Sequence, residues 1–225
     1  MISFVNTSKI YPDGTVALDN VSLDIEEGEF VFIVGHSGAG KSTLFKLLIR
    51  QELPTSGEVY FGDTIITKMK DKDLPKLRRE IGVVFQDFKL LPTLSVEENI
   101  AFPLQVIGMD KKQIADIVEE VLNLVGLHGK EKSFPKHLSG GEKQKLAIAR
   151  AISTEPKILV ADEPTGNIDY EATWIVIDLL RKINELGTTV IMTTHDPEIV
   201  KKLKKRTILL ENGRVTRDEV PRRIH

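Results

Sequence analysis

The sequence predicts an α/β fold organised around a phosphate-binding loop, and three observations carry that prediction. Gly35-His36-Ser37-Gly38-Ala39-Gly40-Lys41-Ser42 has the spacing G-x-x-x-x-G-K-[ST]. The loop is entered from the apolar run Phe30-Val31-Phe32-Ile33-Val34 and left through Leu44, Leu47 and Leu48 at helical spacing, giving strand, loop, helix. Further buried-strand runs at 81–85, 158–161 and 189–193 alternate with helical patterns, as in a sheet covered by helices. In such a loop, glycines let successive backbone N–H groups close around a polyphosphate, and the helix N-terminus adds partial positive charge. Lys41 is placed to reach the β and γ phosphates, and Ser42 to ligate Mg²⁺.

A chain of 225 residues can bury one good-sized core, or one domain with an inserted lobe. The formal net charge of −2 excludes the global basic field of a nucleic-acid binder. The absence of cysteine fits a reducing compartment. Met1-Ile2-Ser3-Phe4 lacks the basic start of a signal peptide, and no apolar run reaches membrane-spanning length, so the expectation is a cytosolic protein whose membrane role needs a partner.

Along the chain, Val21, Leu23 and Ile25 alternate with polar residues as a strand with one wet face. Tyr11, beside the turn-prone Pro12-Asp13-Gly14, is a surface aromatic or a platform for an adenine ring. Pro54, Ser56 and Gly57 break the first helix, and a short strand follows at 59–61. The run at 81–85 leads to Gln86, whose neutral carboxamide can ligate Mg²⁺ or orient water.

Residues 87–155 read as a helical insertion between nucleotide-core segments at about 1–86 and 156–225. Ser95 with Glu98 forms a capping box, Asp110 starts an apolar stripe through Ile114, Ile117, Val118, Val121, Leu122 and Val125, and Gly126 ends that helix. The unpatterned Phe88-Lys89-Leu90-Leu91-Pro92 is either local core or a docking surface. Leu138-Ser139-Gly140-Gly141-Glu142 precedes another helix, and its hydroxyl and bare N–H groups make a second anion seat. One nucleotide seldom needs two such seats, which hints at two chains sharing nucleotides.

Ile158-Leu159-Val160-Ala161 runs into Asp162-Glu163. Carboxylates at the end of an apolar strand need partners, and Mg²⁺ is the natural one for Asp162. Side-chain alternation along a strand would point Glu163 elsewhere, toward an attacking water. A further helix carries Ile175, Ile177, Leu179, Leu180 and Ile183. The next strand ends at Thr194-His195-Asp196, where α/β sheets place ligands. Asn212-Gly213 signals a hairpin, and the basic stretch of Lys201, Lys202, Lys204, Lys205 and Arg206 reads as a solvated helix face.

Six of these motifs, in order, resemble the ABC-type ATPases over essentially the whole chain. The resemblance implies a P-loop NTPase core with a small antiparallel β region and an inserted helical subdomain. It assigns ATP binding to Tyr11, Gly35, His36, Ser37, Gly38, Ala39, Gly40, Lys41, Ser42, Thr43 and Gln86, with Ser42, Gln86 and Asp162 holding Mg²⁺. It assigns binding in trans to Ser139, Gly140, Gly141, Glu142 and Asp169, the last in the D-loop Asn167-Ile168-Asp169. Catalysis falls to Glu163 as base, with Lys41 and His195 on the γ-phosphate. Glu142 stands where most signatures of the family have glutamine, and Lys145 where arginine is usual. The run 82–92, the N-terminus and the Ser-Gly-Gly-Glu signature resemble the cell-division branch of the family. That branch implies a homodimer with ATP at its interface, an integral membrane partner of the FtsX type, and a peripheral place on the cytoplasmic face of a bacterial membrane. A solute transporter subunit and a soluble ATP-gated clamp are the other readings; no nucleic-acid partner is expected.

Overall fold

The computed structural model describes residues 1–220, which form two compact units. The first comprises Met1–Arg78 and the described residues from Thr189 onward. Strand β1 (Ile2–Ile10) pairs antiparallel with β2 (Val16–Ile25), Phe4 opposite Leu23. In the same unit β3 (Phe30–Val34) leads through the glycine-rich loop to helix α1 (Lys41–Leu48). β4 (Ser56–Phe61) pairs with the other edge of β1, and β5 (Thr64–Ile65) extends that antiparallel sheet in the order β2-β1-β4-β5. Ile2, Phe4, Val21, Leu23, Ile25 and Val59 are all buried, so the period-2 face of this small sheet is its core face. β1 does not stand out in the sequence because Asn6, at φ +46°, breaks the alternation and shifts the register after Phe4. The short helix α2 (Leu74–Arg79) follows.

Helices and strands of the second unit, Arg79–Thr188, come next in the chain. β6 (Ile81–Val84) will pair with a strand far downstream; between them lie α3 (Val96–Val106), α4 (Lys111–Val125) and α5 (Gly140–Ile152). That downstream strand, β7 (Ile158–Ala161), lies parallel to β6 with Val84 opposite Ala161, and all four of its residues are buried. α6 (Tyr170–Glu185) completes the unit. The helical expectation holds in its local chemistry. The Ser95 hydroxyl accepts from the Glu98 N–H, and the Glu98 carboxylate accepts the Ser95 N–H at 2.7 Å. Asp110 caps α4, Ile114, Val118, Val121, Leu122 and Val125 are buried, and Gly126 ends the helix at φ +65°.

The unpatterned segment after Gln86 is held from two sides. Phe88 and Lys89 both lie in the left-handed region, at φ +61° and +47°. Arg150 of α5 donates to the Lys89 carbonyl at 2.7 Å and the Phe88 carbonyl at 3.2 Å. Fully buried Asn99 donates to the carbonyls of Leu91, Leu94 and Ser95, and its Oδ1 accepts the Leu91 N–H. Backbone capture, not side-chain periodicity, shapes the segment.

In the first unit β3 lies between two parallel neighbours, β8 (Thr189–Thr194) and β9 (Arg206–Glu211). Val31, Phe32 and Ile33 are completely buried, as expected of a strand with parallel neighbours on both edges. α7 (Pro197–Leu203) links β8 to β9, and β10 (Arg214–Glu219) returns antiparallel across Asn212-Gly213, both at positive φ. The basic stretch is not one helix face. α7 stops at Leu203, Lys204 turns left-handed at φ +49°, and Arg206 opens β9 bound to Glu29 at 2.9 Å and Asp218 at 2.7 Å.

Candidate nucleotide site

In the first unit, β3 delivers the glycine-rich loop to the start of α1. Gly40 is the N-cap at φ +107°, and no side chain caps the helix. That leaves the first-turn N–H groups of α1 directed at the loop. A Cβ on Gly40 would lie 2.4 Å from the Ala17 carbonyl oxygen, whereas one on Gly38, also at positive φ, would meet nothing within 4 Å. Gly40→Ala therefore costs more than Gly38→Ala in a thermal melt. The latter should lose about 1 kcal/mol from the left-handed backbone alone and the former at least about twice that.

Lys41 is only 7% exposed, and its Nζ donates to the carbonyls of Gly35 at 2.7 Å and His36 at 3.1 Å. Its ammonium thus bridges the loop that precedes it. Ser42 is exposed at the first turn of α1, and Thr43 beside it is buried. Tyr11 is fixed beside the same helix: its hydroxyl lies 3.3 Å from the Thr43 hydroxyl and donates to Glu52 at 3.1 Å, while the Lys9 ammonium stands 5.2 Å from its ring centroid. His195 is exposed just past β8. The register that sets Val34 opposite Thr194 brings it, with Gly35, His36 and Asp196, to one cleft of about 440 Å³. The first unit therefore gathers Tyr11, the whole loop, Lys41, Ser42, Thr43 and His195.

The second unit gathers the remaining residues. β6 and β7 run parallel, so Gln86 and Asp162-Glu163 emerge at the same strand ends, and the Asp162 N–H donates to the Val84 carbonyl at 2.9 Å. Strand alternation is not what separates the two carboxylates. β7 stops at Ala161, and Glu163 sits at φ +44° in the left-handed region, so the two carboxylates lie on a backbone turn and not on an extended strand. A non-glycine residue stays there only where its surroundings hold it. Asn167 donates to the Gln86 carbonyl at 2.8 Å, and a Cβ on Gly166 would stand 3.0 Å from the Gln86 amide nitrogen.

Ser139 is the N-cap of α5 in a full capping box with Glu142. Contact leaves no room for a side chain at Gly141 and little at Gly140. A Cβ on Gly141 would come within 2.7 Å of the Ala172 Cβ, and one on Gly140 within 3.2 Å of the Asn167 carbonyl oxygen. Asp169 caps α6, its carboxylate accepting the Ala172 N–H at 2.8 Å. The residues around Gln86, Glu163, Asp169 and Ser139 thus form one connected series of contacts. The Glu142 carboxylate accepts the Ser139 N–H of that box at 2.9 Å and one further bond from Lys130 at 3.1 Å; the first chiefly, then the second, hold its carboxyl below the ordinary range. Lys130 and Arg150 are partners that sequence reading passes over. Each acts through groups distant in sequence.

A family model described as ABC transporter matches residues 18–166. The chain is 50% identical over 219 residues to the cell division ATP-binding protein FtsE of Bacillus subtilis, covering 97% of this chain and 96% of that protein. It is 46% identical over 219 residues to the methionine import ATP-binding protein MetN of Geobacillus kaustophilus, covering 96% of this chain and 64% of that one. Among solved structures, a dimeric post-hydrolysis ATP-binding cassette bound to ADP and Pi superposes with a TM-score of 0.89 at 38% identity, each chain 99% covered. With a glycine-rich loop between a buried strand and a helix, two acidic residues just past β7 and these likenesses over nearly its whole length, the chain belongs to the ABC transporter family of ATP-hydrolysing cassettes.

Proposed function

We propose that two copies of this chain close head to tail on ATP, each nucleotide held between the loop of one copy and Ser139-Gly140-Gly141 of the other. We further propose that hydrolysis, by reopening the pair, drives an integral membrane partner of the FtsX type in cell division. The observation that carries the reading is the presence of two helix starts suited to anions, at α1 and at α5, in different compact units of one chain. Closure on a partner gives the second seat a phosphate to hold. The dimeric, ADP-bound cassette and the near-full-length likeness to FtsE support it.

Ser42, Gln86 and Asp162 offer a hydroxyl, a carboxamide and a carboxylate, all hard oxygen donors. Such a donor set suits Mg²⁺ shared with phosphate oxygens. When bound, Mg²⁺ would neutralise charge building on the transferring phosphoryl group. Lys41 and His195 would stabilise charge on that group. Glu163 takes the proton of the attacking water, and Asp169 supports the α6 end of the seam. Because the γ-phosphate completes both halves, closure is favoured only while ATP is intact.

Among the described residues no helix is long and apolar enough to cross a membrane. The likeness to FtsE supports a peripheral place on the cytoplasmic face beside a separate membrane protein. The test has two arms. Glu163→Gln should sediment as a dimer with ATP and as a monomer without it, and Ser139→Arg in that background should remain monomeric. A tagged protein drawn from detergent-solubilised membranes should bring a four-span partner with an extracytoplasmic loop. A many-span permease would make it a transporter subunit, and a complex that persists without membrane would make it a soluble clamp.

A further inference from the structure

The Glu142 carboxylate occupies the very field in which the α5 seat would receive a phosphate. Its Oε2 accepts the Ser139 N–H at 2.9 Å and its Oε1 accepts from Lys130 at 3.1 Å, so one oxygen is tied to the N-cap of the helix and the other to a lysine outside it. The side chain keeps 28% of its surface and that of Lys130 45%, so neither charge is shut away from an arriving copy. A fixed anion at a helix N-terminus gains from the same dipole that attracts an incoming anion, and the two then repel.

We infer that the Glu142 carboxylate opposes closure of the ATP-bound dimer through its charge, and that Lys130 sets how strongly it does so. The inference rests on the proposed head-to-tail dimer. It changes the role of Glu142 from a ligand of the incoming nucleotide to a brake on it. Glutamine retains the capping-box geometry, so Glu142→Gln removes the charge and little else.

Dimer formation in the Glu163→Gln background, followed by sedimentation velocity against ATP concentration, tests this. At low salt Glu142→Gln should lower the half-point ATP concentration by about 5- to 10-fold, the size expected of one like-charge contact across a partly desolvated seam. That gain should shrink in about 0.5 M NaCl as screening rises. Lys130→Met should raise the half-point severalfold when Glu142 is present and leave it unchanged in Glu142→Gln. A merely structural lysine would shift both backgrounds alike, and that result overturns the inference. So does a half-point unmoved by Glu142→Gln while the parent dimerises normally. A parent that binds ATP yet never dimerises overturns the dimer itself, and the inference with it.

Discussion

Glu163→Gln is expected to hydrolyse ATP at least ~10²-fold more slowly than the parent while binding ATP equally well, the loss expected when a general base is replaced by an isosteric amide. Three features of the structure single out this carboxylate. It follows β7, whose four residues are wholly buried, so its Cα is positioned by the core. Its backbone lies at φ +44°, a conformation costing a non-glycine residue on the order of 1–2 kcal/mol, which persists only where the surroundings enforce it. Those surroundings are present: the Asp162 N–H is bound to the Val84 carbonyl, and the Glu163 carbonyl accepts the Gly166 N–H at 3.1 Å. The backbone is thus held on both sides of the side chain. Glutamine keeps size and turn but cannot take a proton, so binding survives and turnover does not. Phosphate release in steady state, beside filter binding of labelled ATP, separates the two. Undiminished release would remove Glu163 as base, and Asp162 would become the acid group to test.

How much of this was legible in the sequence depends on how local each cause is. The glycine-rich loop, β3, the capping box of α3 and the N-cap serine of α5 read directly, because the residues that make them lie within a few positions of each other, although the return bond from Glu142 that completes the α5 box did not. β7 read directly because a strand buried on both faces is a continuous apolar run. β1 did not, since the bulge at Asn6 destroys the period on which strand reading depends. The left-handed turn at Glu163 leaves no trace in residue type. Glutamate is an uncommon choice there, and the turn is held by the sheet bond of Asp162 to Val84 on one side and the Gly166 N–H to the Glu163 carbonyl on the other. Arg206 looked like part of a lysine-rich helix face, but its real partners are Glu29, 177 positions away, and Asp218. Arg150 reaches carbonyls 61 and 62 positions upstream, a relation no short window contains. Of the candidate site, residue types and strand ends were readable; the contacts that aim them were not.

Lys41→Ala is expected to abolish measurable nucleotide binding while leaving the protein folded. The ammonium is nearly buried, yet its bonds run to the Gly35 and His36 carbonyls, inside the loop it would serve. A positive charge held this way stands already desolvated beside the place a polyphosphate would take. It needs only to exchange one carbonyl for a phosphate oxygen. Charge-assisted hydrogen bonds contribute about 1.5–3 kcal/mol each. Losing one or two of them, together with the order the ammonium gives the loop, weakens ATP binding by roughly 10²- to 10³-fold. The fold should survive because α1 is anchored elsewhere: Leu44, Leu47 and Leu48 are at most 1% exposed and bury its inner face. Circular dichroism should therefore be unchanged and the melting temperature lowered by only a few degrees, the share of two carbonyl bonds. Lys41→Arg should recover little, since the planar guanidinium fork is wider than the ammonium and the position is 7% exposed. Retention of labelled ATP on a filter by Lys41→Ala would mean that the backbone N–H groups at the start of α1 suffice for the phosphates, and the ammonium's place in the loop would then be structural.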